Sequence, residues 1–182
     1  MLGVNKMTSN TICENTLTEN SQQHELENHW VYWAHLPHDT KWTIESYKKI
    51  YKIKTVEESL VISETITDEM VTNCMLFIMK DGIHPTWEDE KNRRGGCFSY
   101  KISNKNVVNV WKKLMYVLVG ETLTSNEKLL KKINGITISP KKYFCIVKIW
   151  LSSCEFQDPS LIANIKGLSS RGCLFKKHCP EK

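Results

Sequence analysis

The chain has 182 residues, 41% of them apolar, and a formal net charge of +5 from 25 Lys and Arg against 20 Asp and Glu. That length suits one compact domain with residues to spare for a tail, and the apolar content is ordinary for a globular protein. No run approaches the ~18 consecutive apolar residues of a membrane span, the N-terminus lacks the basic-then-apolar pattern of a secretory leader, and the modest positive charge suits an anionic ligand such as a phosphate chain without demanding one.

Residues 1–23 are rich in Asn, Thr, Ser, Gln and Glu with no apolar period, a composition that cannot offset the entropy of ordering, so they read as a flexible arm. Residues 24–182 read as a single domain. The aromatic and β-branched run His29 to Leu36 predicts a strand, and Pro37 to Lys41 a polar turn with Trp42 beyond it. Tyr47 to Lys54 alternates as a second strand. Thr55 and Glu58 have the spacing of a capping box, so a helix starts between them. Cys74 to Met79 is a continuous apolar run, the mark of a central strand, and Phe98 to Ile102 alternates as another. Val107, Val110, Trp111, Leu114, Met115, Leu118 and Val119 share one face of a helix ended by Gly120, which places Trp111 in the core. The segments 135–138 and 144–150 form a hairpin around Ser139-Pro140-Lys141-Lys142. Asp158-Pro159 predicts a last helix running to Gly167, and residues 172–176 a short closing strand. Strands in hairpins interrupted by a few helices imply an α+β domain whose antiparallel sheet is covered on one face.

The stretch Trp87-Glu88-Asp89-Glu90-Lys91-Asn92-Arg93-Arg94-Gly95-Gly96 carries the chemistry. An indole set among charged and amide side chains reads as an exposed stacking surface. The adjacent carboxylate can accept two parallel hydrogen bonds from the N1–H and 2-amino edge of guanine. Trp42 is a second candidate ring, although an isolated Trp after a strand is also a common half-buried packing residue. Two rings on neighbouring loops could close on one flat base, and a fixed positive charge on that base would add a cation–π term of ~0.5–2 kcal/mol. Stacking plus edge contacts is how single-stranded RNA ends are read. Lys141 and Lys142 could meet an attached phosphate chain, or be a solvated turn. Glycine-rich cofactor loops and nucleophile–base pairs are missing, which argues against an enzyme. The seven Cys form no CxxC pair and read as reduced thiols. Cys173, His178 and Cys179 are too few and too oddly spaced for a metal set.

Taken in order, His24 to Trp30, Lys41-Trp42, Thr55 to Glu58, Lys80 to Gly96 and Val119-Gly120-Glu121 resemble the initiation factor 4E family, which binds the 7-methylguanosine cap of eukaryotic messenger RNA. The similarity runs from about residue 24 to 170. It implies a curved antiparallel sheet backed by about three helices, with the cap slot on the concave face, and a cytoplasmic or also nuclear protein that is not an enzyme and needs no metal or cofactor. By position, Trp42 and Trp87 match the sandwiching rings, Glu88 the guanine reader and Trp150 the indole that touches the base's methyl group. Capped messenger RNA is the implied ligand, and an initiation factor 4G-type scaffold or an inhibitory protein the implied partner, bound through a dorsal surface matching His24, Val56, Leu60 and Gly120.

Three departures from the family pattern stand out. Cys97 replaces the Arg that usually follows Gly-Gly, leaving Lys141 and Lys142 as the phosphate candidates and removing a bidentate fork. Leu60 replaces the Trp that anchors the partner peptide. Lys112-Lys113 replaces a Leu-Glu pair. These leave open a cap-binder that represses or stores messages because scaffold recruitment is lost, and an interaction module that no longer binds a cap.

Overall fold

A computed structural model describes residues 23–178; the expected arm falls outside them, apart from residue 23, as do Cys13 and Cys179. The elements in chain order are β1 (Glu25–His35), β2 (Tyr47–Thr55), α1 (Val56–Thr65), α2 (Asp68–Asn73), β3 (Met75–Lys80), β4 (Gly96–Ser103), α3 (Val107–Val119), α4 (Glu127–Leu130), β5 (Ile133–Pro140), β6 (Phe144–Leu151) and β7 (Leu174–Lys177). The strands make one curved antiparallel sheet in the order β2-β1-β3-β5-β6-β4-β7, so the fold is α+β as the pattern implies. None of the described helices is long and apolar enough to cross a membrane.

Each strand sends alternate residues to opposite faces. From β1, Trp30, Tyr32 and Ala34 enter the large core beneath the helices, with Phe98, Tyr100 and Ile102 of β4 and Ile136 and Ile138 of β5. Trp111 of α3 belongs there too, and its indole N–H donates to the Tyr32 hydroxyl at 2.8 Å. That bond satisfies two polar atoms in a region where unpaired ones cost about 1–3 kcal/mol each, and burial holds the Tyr32 phenol well above its usual range. The opposite face has a smaller cluster of Phe77, Met79, Ile83 and Trp150, with Trp33, Tyr47 and Met75 packed against it.

The helix at Thr55 is built as expected: its hydroxyl accepts from the Glu58 N–H at 3.2 Å, while the Glu58 carboxylate accepts from the Thr55 N–H at 3.2 Å. The last expected helix does not form. Asp158 does cap, accepting from the Ser160 N–H at 2.9 Å, but the chain then makes only a single 3₁₀ turn, Pro159–Leu161. Ala163 donates its N–H to the Leu123 carbonyl at 2.9 Å, so a donor that would have extended the helix is claimed by a tertiary bond and propagation stops. Ile162, Ile165 and Leu168 still reach the core, and Gly167, at φ +96°, turns the chain between Ile165 and Leu168, which form an isolated bridge. Two short helices, α2 and α4, carry no periodic signal in the sequence; each is capped by a side chain, Thr67 and Asn126 respectively.

Thr55→Ala removes one half of the capping box. It is expected to cost about 1 kcal/mol, read as a lower urea midpoint at unchanged m-value; an unshifted midpoint would show the box to be decorative.

Candidate functional site

Trp42 and Trp87 approach the site from opposite ends of the sheet. β1 and β3 run antiparallel with His35 opposite Met75 and Trp30 opposite Lys80. The loop carrying Trp42 therefore leaves beside the start of β3, whereas the loop carrying Trp87 leaves from its far end. For the two to address one ligand, residues 81–95 must turn back over the open face of the sheet, and the first part of the loop lies on it. Ile83 joins the open-face cluster, and the His84 ring lies 6.2 Å from that of Trp33.

Two side chains hold this loop in shape. Asp89 accepts from the His84 N–H at 2.9 Å and from the Lys91 N–H at 2.9 Å, and its Oδ2 is 3.0 Å from His84 Nδ1. Burial by itself would raise the Asp89 carboxyl, but these donors outweigh it and hold the group below its usual range. Asn92 has no exposed surface at all (0%). Its amide donates to the carbonyls of His84 at 3.0 Å and Thr86 at 2.8 Å, on either side of Pro85, and its Oδ1 accepts from Asn134 of β5 at 2.9 Å. The Asn92 carbonyl accepts from His178 Nδ1 at 2.8 Å, beyond the end of β7. The glycines that end the loop allow close approach: a Cβ on Gly95 would lie 1.8 Å from the Leu151 carbonyl oxygen, and one on Gly96 2.5 Å from the Phe175 ring.

On this braced loop Trp87 is 47% exposed. Glu88 is exposed and makes no hydrogen bond among the described residues, yet it acts electrostatically on Tyr47 of β2, where burial raises the phenol and the Glu88 carboxylate raises it further. Tyr47 lies edge-on to His35, with ring centroids 5.3 Å apart, and His35 stacks on Trp42 at 4.2 Å. Glu88 and Trp42 thus address the same end of the open face, and Trp42 is the most exposed indole there, at 62%. Trp42 thus packs one face on His35 and still leaves most of its surface in water.

Trp150 is 5% exposed, and its indole N–H donates to Thr137 Oγ1 at 2.7 Å. It is part of the open-face cluster, not of the core beneath the helices, so burial and a place on the open face coexist. Cys97 pairs with Trp150 on one side and with Lys176 on the other. Burial pushes its thiol up while the cations of Lys148 and Lys176 pull it down, with burial prevailing. Lys148 Nζ lies 6.0 Å from the Trp150 ring centroid. His178 covers part of Trp150, with centroids 4.5 Å apart; burial lowers its imidazole, and the Lys148 charge adds to that.

Lys141 and Lys142 sit elsewhere. They occupy the exposed β5–β6 turn, where Lys142 Nζ lies 5.2 Å from the Tyr143 ring centroid. The run of β6 from Phe144 to Trp150 separates that turn from the indole, roughly 20 Å of strand. Lys148 and Lys176 were not among the phosphate candidates read from the sequence. Alternation carried the signal for Lys148, two residues before Trp150 on the same strand.

On the helix side, Val56 and Leu60 lie exposed on α1, at 41% and 50%, and Gly120 caps α3. His24 Nδ1 lies 2.7 Å from Glu57, a contact that holds the Glu57 carboxyl down to about 2. Lys112 pairs with Glu64 at 3.5 Å.

Residues 25–172 match the family model for eukaryotic initiation factor 4E. The chain belongs to that family. It is 41% identical over 88 residues to an initiation factor 4E homolog of Acanthamoeba polyphaga mimivirus, covering 48% of this chain and 30% of the relative. It is 28% identical to the factor of Candida albicans over 75% of this chain and 68% of the relative, and 26% identical to the human factor over 73% and 63%. Among solved structures it is similar to a schistosome eIF4E complexed with m7GpppG and 4E-BP (TM-score 0.66, 24% identity, 74% of this chain and 75% of that one). It is also similar to Ascaris suum eIF4E-3 with an m2,2,7G cap (TM-score 0.64, 22% identity, 73% and 76%). These structures share the fold of this 4E-family chain.

The depressed Asp89 carboxyl predicts how the loop responds to acid. A group titrating lower in the folded than in the unfolded chain contributes stability that is complete above the unfolded value and disappears as pH falls through the folded one. Unfolding midpoints are therefore expected to fall below about pH 4, with a shallower fall in Asp89→Asn. Equal acid sensitivity in both proteins would contradict this role.

Proposed function

We propose that this chain binds the 7-methylguanosine cap of messenger RNA and acts in translation initiation, without catalysing a reaction. The methylated base is held between Trp42 and Trp87, with Glu88 accepting from its N1–H and 2-amino edge. The observation that supports this reading is an exposed carboxylate without a hydrogen-bond partner among the described residues, which follows the exposed Trp87 and acts on Tyr47, whose ring meets the His35 on which the exposed Trp42 stacks. The cationic base supplies what each lacks: ring area for stacking, a charge for the indole faces, and paired donors for the acid. Trp150 forms the wall that the base's methyl group meets.

The phosphate chain is assigned to Lys176, which pairs with Cys97, and Lys148, which pairs with Ser99 two residues before Trp150 on β6, in preference to Lys141 and Lys142 at the distant turn. Two ammonium groups give charge without the bidentate geometry of the missing guanidinium, so triphosphate binding is weaker and more salt-dependent than a guanidinium would make it.

Titration with 7-methyl-GTP, followed by indole fluorescence, tests the whole site. Wild type is expected to quench with 7-methyl-GTP far more than with GTP. Trp87→Ala is expected to lose binding, and Glu88→Gln to weaken it by about 10- to 100-fold, the loss of a charge-assisted pair. Lys148→Ala should weaken 7-methyl-GTP more than 7-methylguanosine, and Lys141→Ala neither. Unchanged binding in Trp87→Ala would remove the proposed pocket.

The dorsal surface of His24, Val56, Leu60 and Gly120 is proposed to take a helical segment of a scaffold or inhibitory protein, with reduced strength. Leu60 offers an exposed aliphatic anchor where an aromatic one dominates such grooves. A scaffold-derived helical peptide is expected to bind Leu60→Trp at least about 10-fold more tightly than wild type. Nanomolar binding by wild type would overturn the weakened anchor, and with it message repression through failed recruitment.

A further inference from the structure

We infer that His35 is the positioning residue for the base-binding ring of Trp42, and that it restricts that ring to one ligand. The inference rests on the cap-binding reading for its ligand, and on the geometry of the free protein for its mechanism.

Trp42 lies in the loop between β1 and β2, with most of its surface in water, a situation in which an indole ordinarily samples several rotamers. Here its ring and that of His35 are nearly parallel, 6° apart, with centroids at 4.2 Å. His35 is a rigid base for that contact. It is 3% exposed and pairs on both sides, with Tyr47 of β2 and Met75 of β3. Its Nε2–H donates to the Lys41 carbonyl at 2.8 Å, so the same ring that backs Trp42 also ties down the residue preceding it. Lys41 is held in turn, its N–H donating to Asp39 at 2.9 Å.

The stack continues inward. The Tyr47 ring meets His35 at 5.3 Å and 66°, and Phe77 meets Tyr47 at 5.4 Å and 68°. Phe77 is a member of the buried open-face cluster. Four rings therefore run from that cluster to the surface, in the order Phe77, Tyr47, His35, Trp42. This has two consequences. The orientation of Trp42 is set before any ligand arrives, which removes an ordering cost from binding. One indole face is already covered, so the ring takes a single base on the other.

His35→Gln and His35→Phe separate the two functions of the side chain, since Gln retains an N–H for Lys41 without a ring and Phe retains a ring without the N–H. In ligand-free protein, the Trp42 indole N–H resonance, identified by its loss in Trp42→Phe, is expected to shift and narrow in His35→Gln while keeping its wild-type linewidth in His35→Phe. For 7-methyl-GTP, His35→Gln is expected to bind about three- to ten-fold more weakly and His35→Phe within about two-fold of wild type, with thermal unfolding recorded for both. An unaltered Trp42 resonance in His35→Gln, or an equal loss in both variants, overturns the inference. Should wild type itself not bind 7-methyl-GTP, the cap-binding reading fails, and the ligand-free resonance still decides the role of His35.

Discussion

A fully buried amide, that of Asn92, is the contact on which the open face depends. Residues 81–95 leave β3 at the end remote from Trp42, and they contain more charged than apolar side chains, so hydrophobic burial alone cannot fix their shape. Asn92 does so with directional bonds, to the carbonyls of His84 and Thr86 within the loop and to Asn134 at the start of β5, which anchors the loop beside the end of β3 from which it leaves. Buried polar networks are worth having only when every member is satisfied. Here the Asn92 side chain and backbone carbonyl are both paired, the carbonyl with His178 Nδ1, and among the described residues the one buried atom of this network left over is His178 Nε2. The result is a loop of defined shape that holds an exposed indole and an exposed carboxylate.

The sheet divides the work between its faces. Beneath the helices, Trp30, Tyr32, Trp111 and the aliphatic residues of α3 bury a large apolar area and carry the stability of the domain. The other face invests little in packing: a cluster of four buried side chains, Phe77, Met79, Ile83 and Trp150, serves as the floor on which the rings of Tyr47 and His35 are stood. That asymmetry leaves the open face free to diverge, as at Cys97, without unfolding the chain. The same freedom acts on the dorsal side, where Leu60 is exposed on α1 while Ser59, Ile62 and Ser63 face inward.

Most of the fold was legible in the sequence because its signals were local. The capping box at Thr55, the apolar stripe of α3 and the alternation of β4 each specify an element without reference to the rest of the chain. The failure after Asp158 has the opposite cause. A sound cap and a proline at the first position were overridden by one tertiary hydrogen bond from Ala163, which no local pattern announces. Within the candidate site, Trp87 and Glu88 were conspicuous because an indole among charges has no place in a core. Trp42 was legible chiefly through the family pattern. The cations beside Cys97 and the His35 stack were not found, because both depend on register across strands distant in sequence: Lys176 is brought opposite Cys97 by β7, and His35 meets Trp42 only once the turn has closed.

The central claim, that two rings from opposite ends of the sheet close on one methylated base, is tested most directly by nuclear Overhauser contacts in the complex with 7-methyl-GTP. The account predicts that the protons of the bound base show contacts to both Trp42 and Trp87, with upfield ring-current shifts of the base protons, and that the N-methyl group contacts Trp150. A complex in which the base contacts only one of the two stacking rings, or neither, would contradict it.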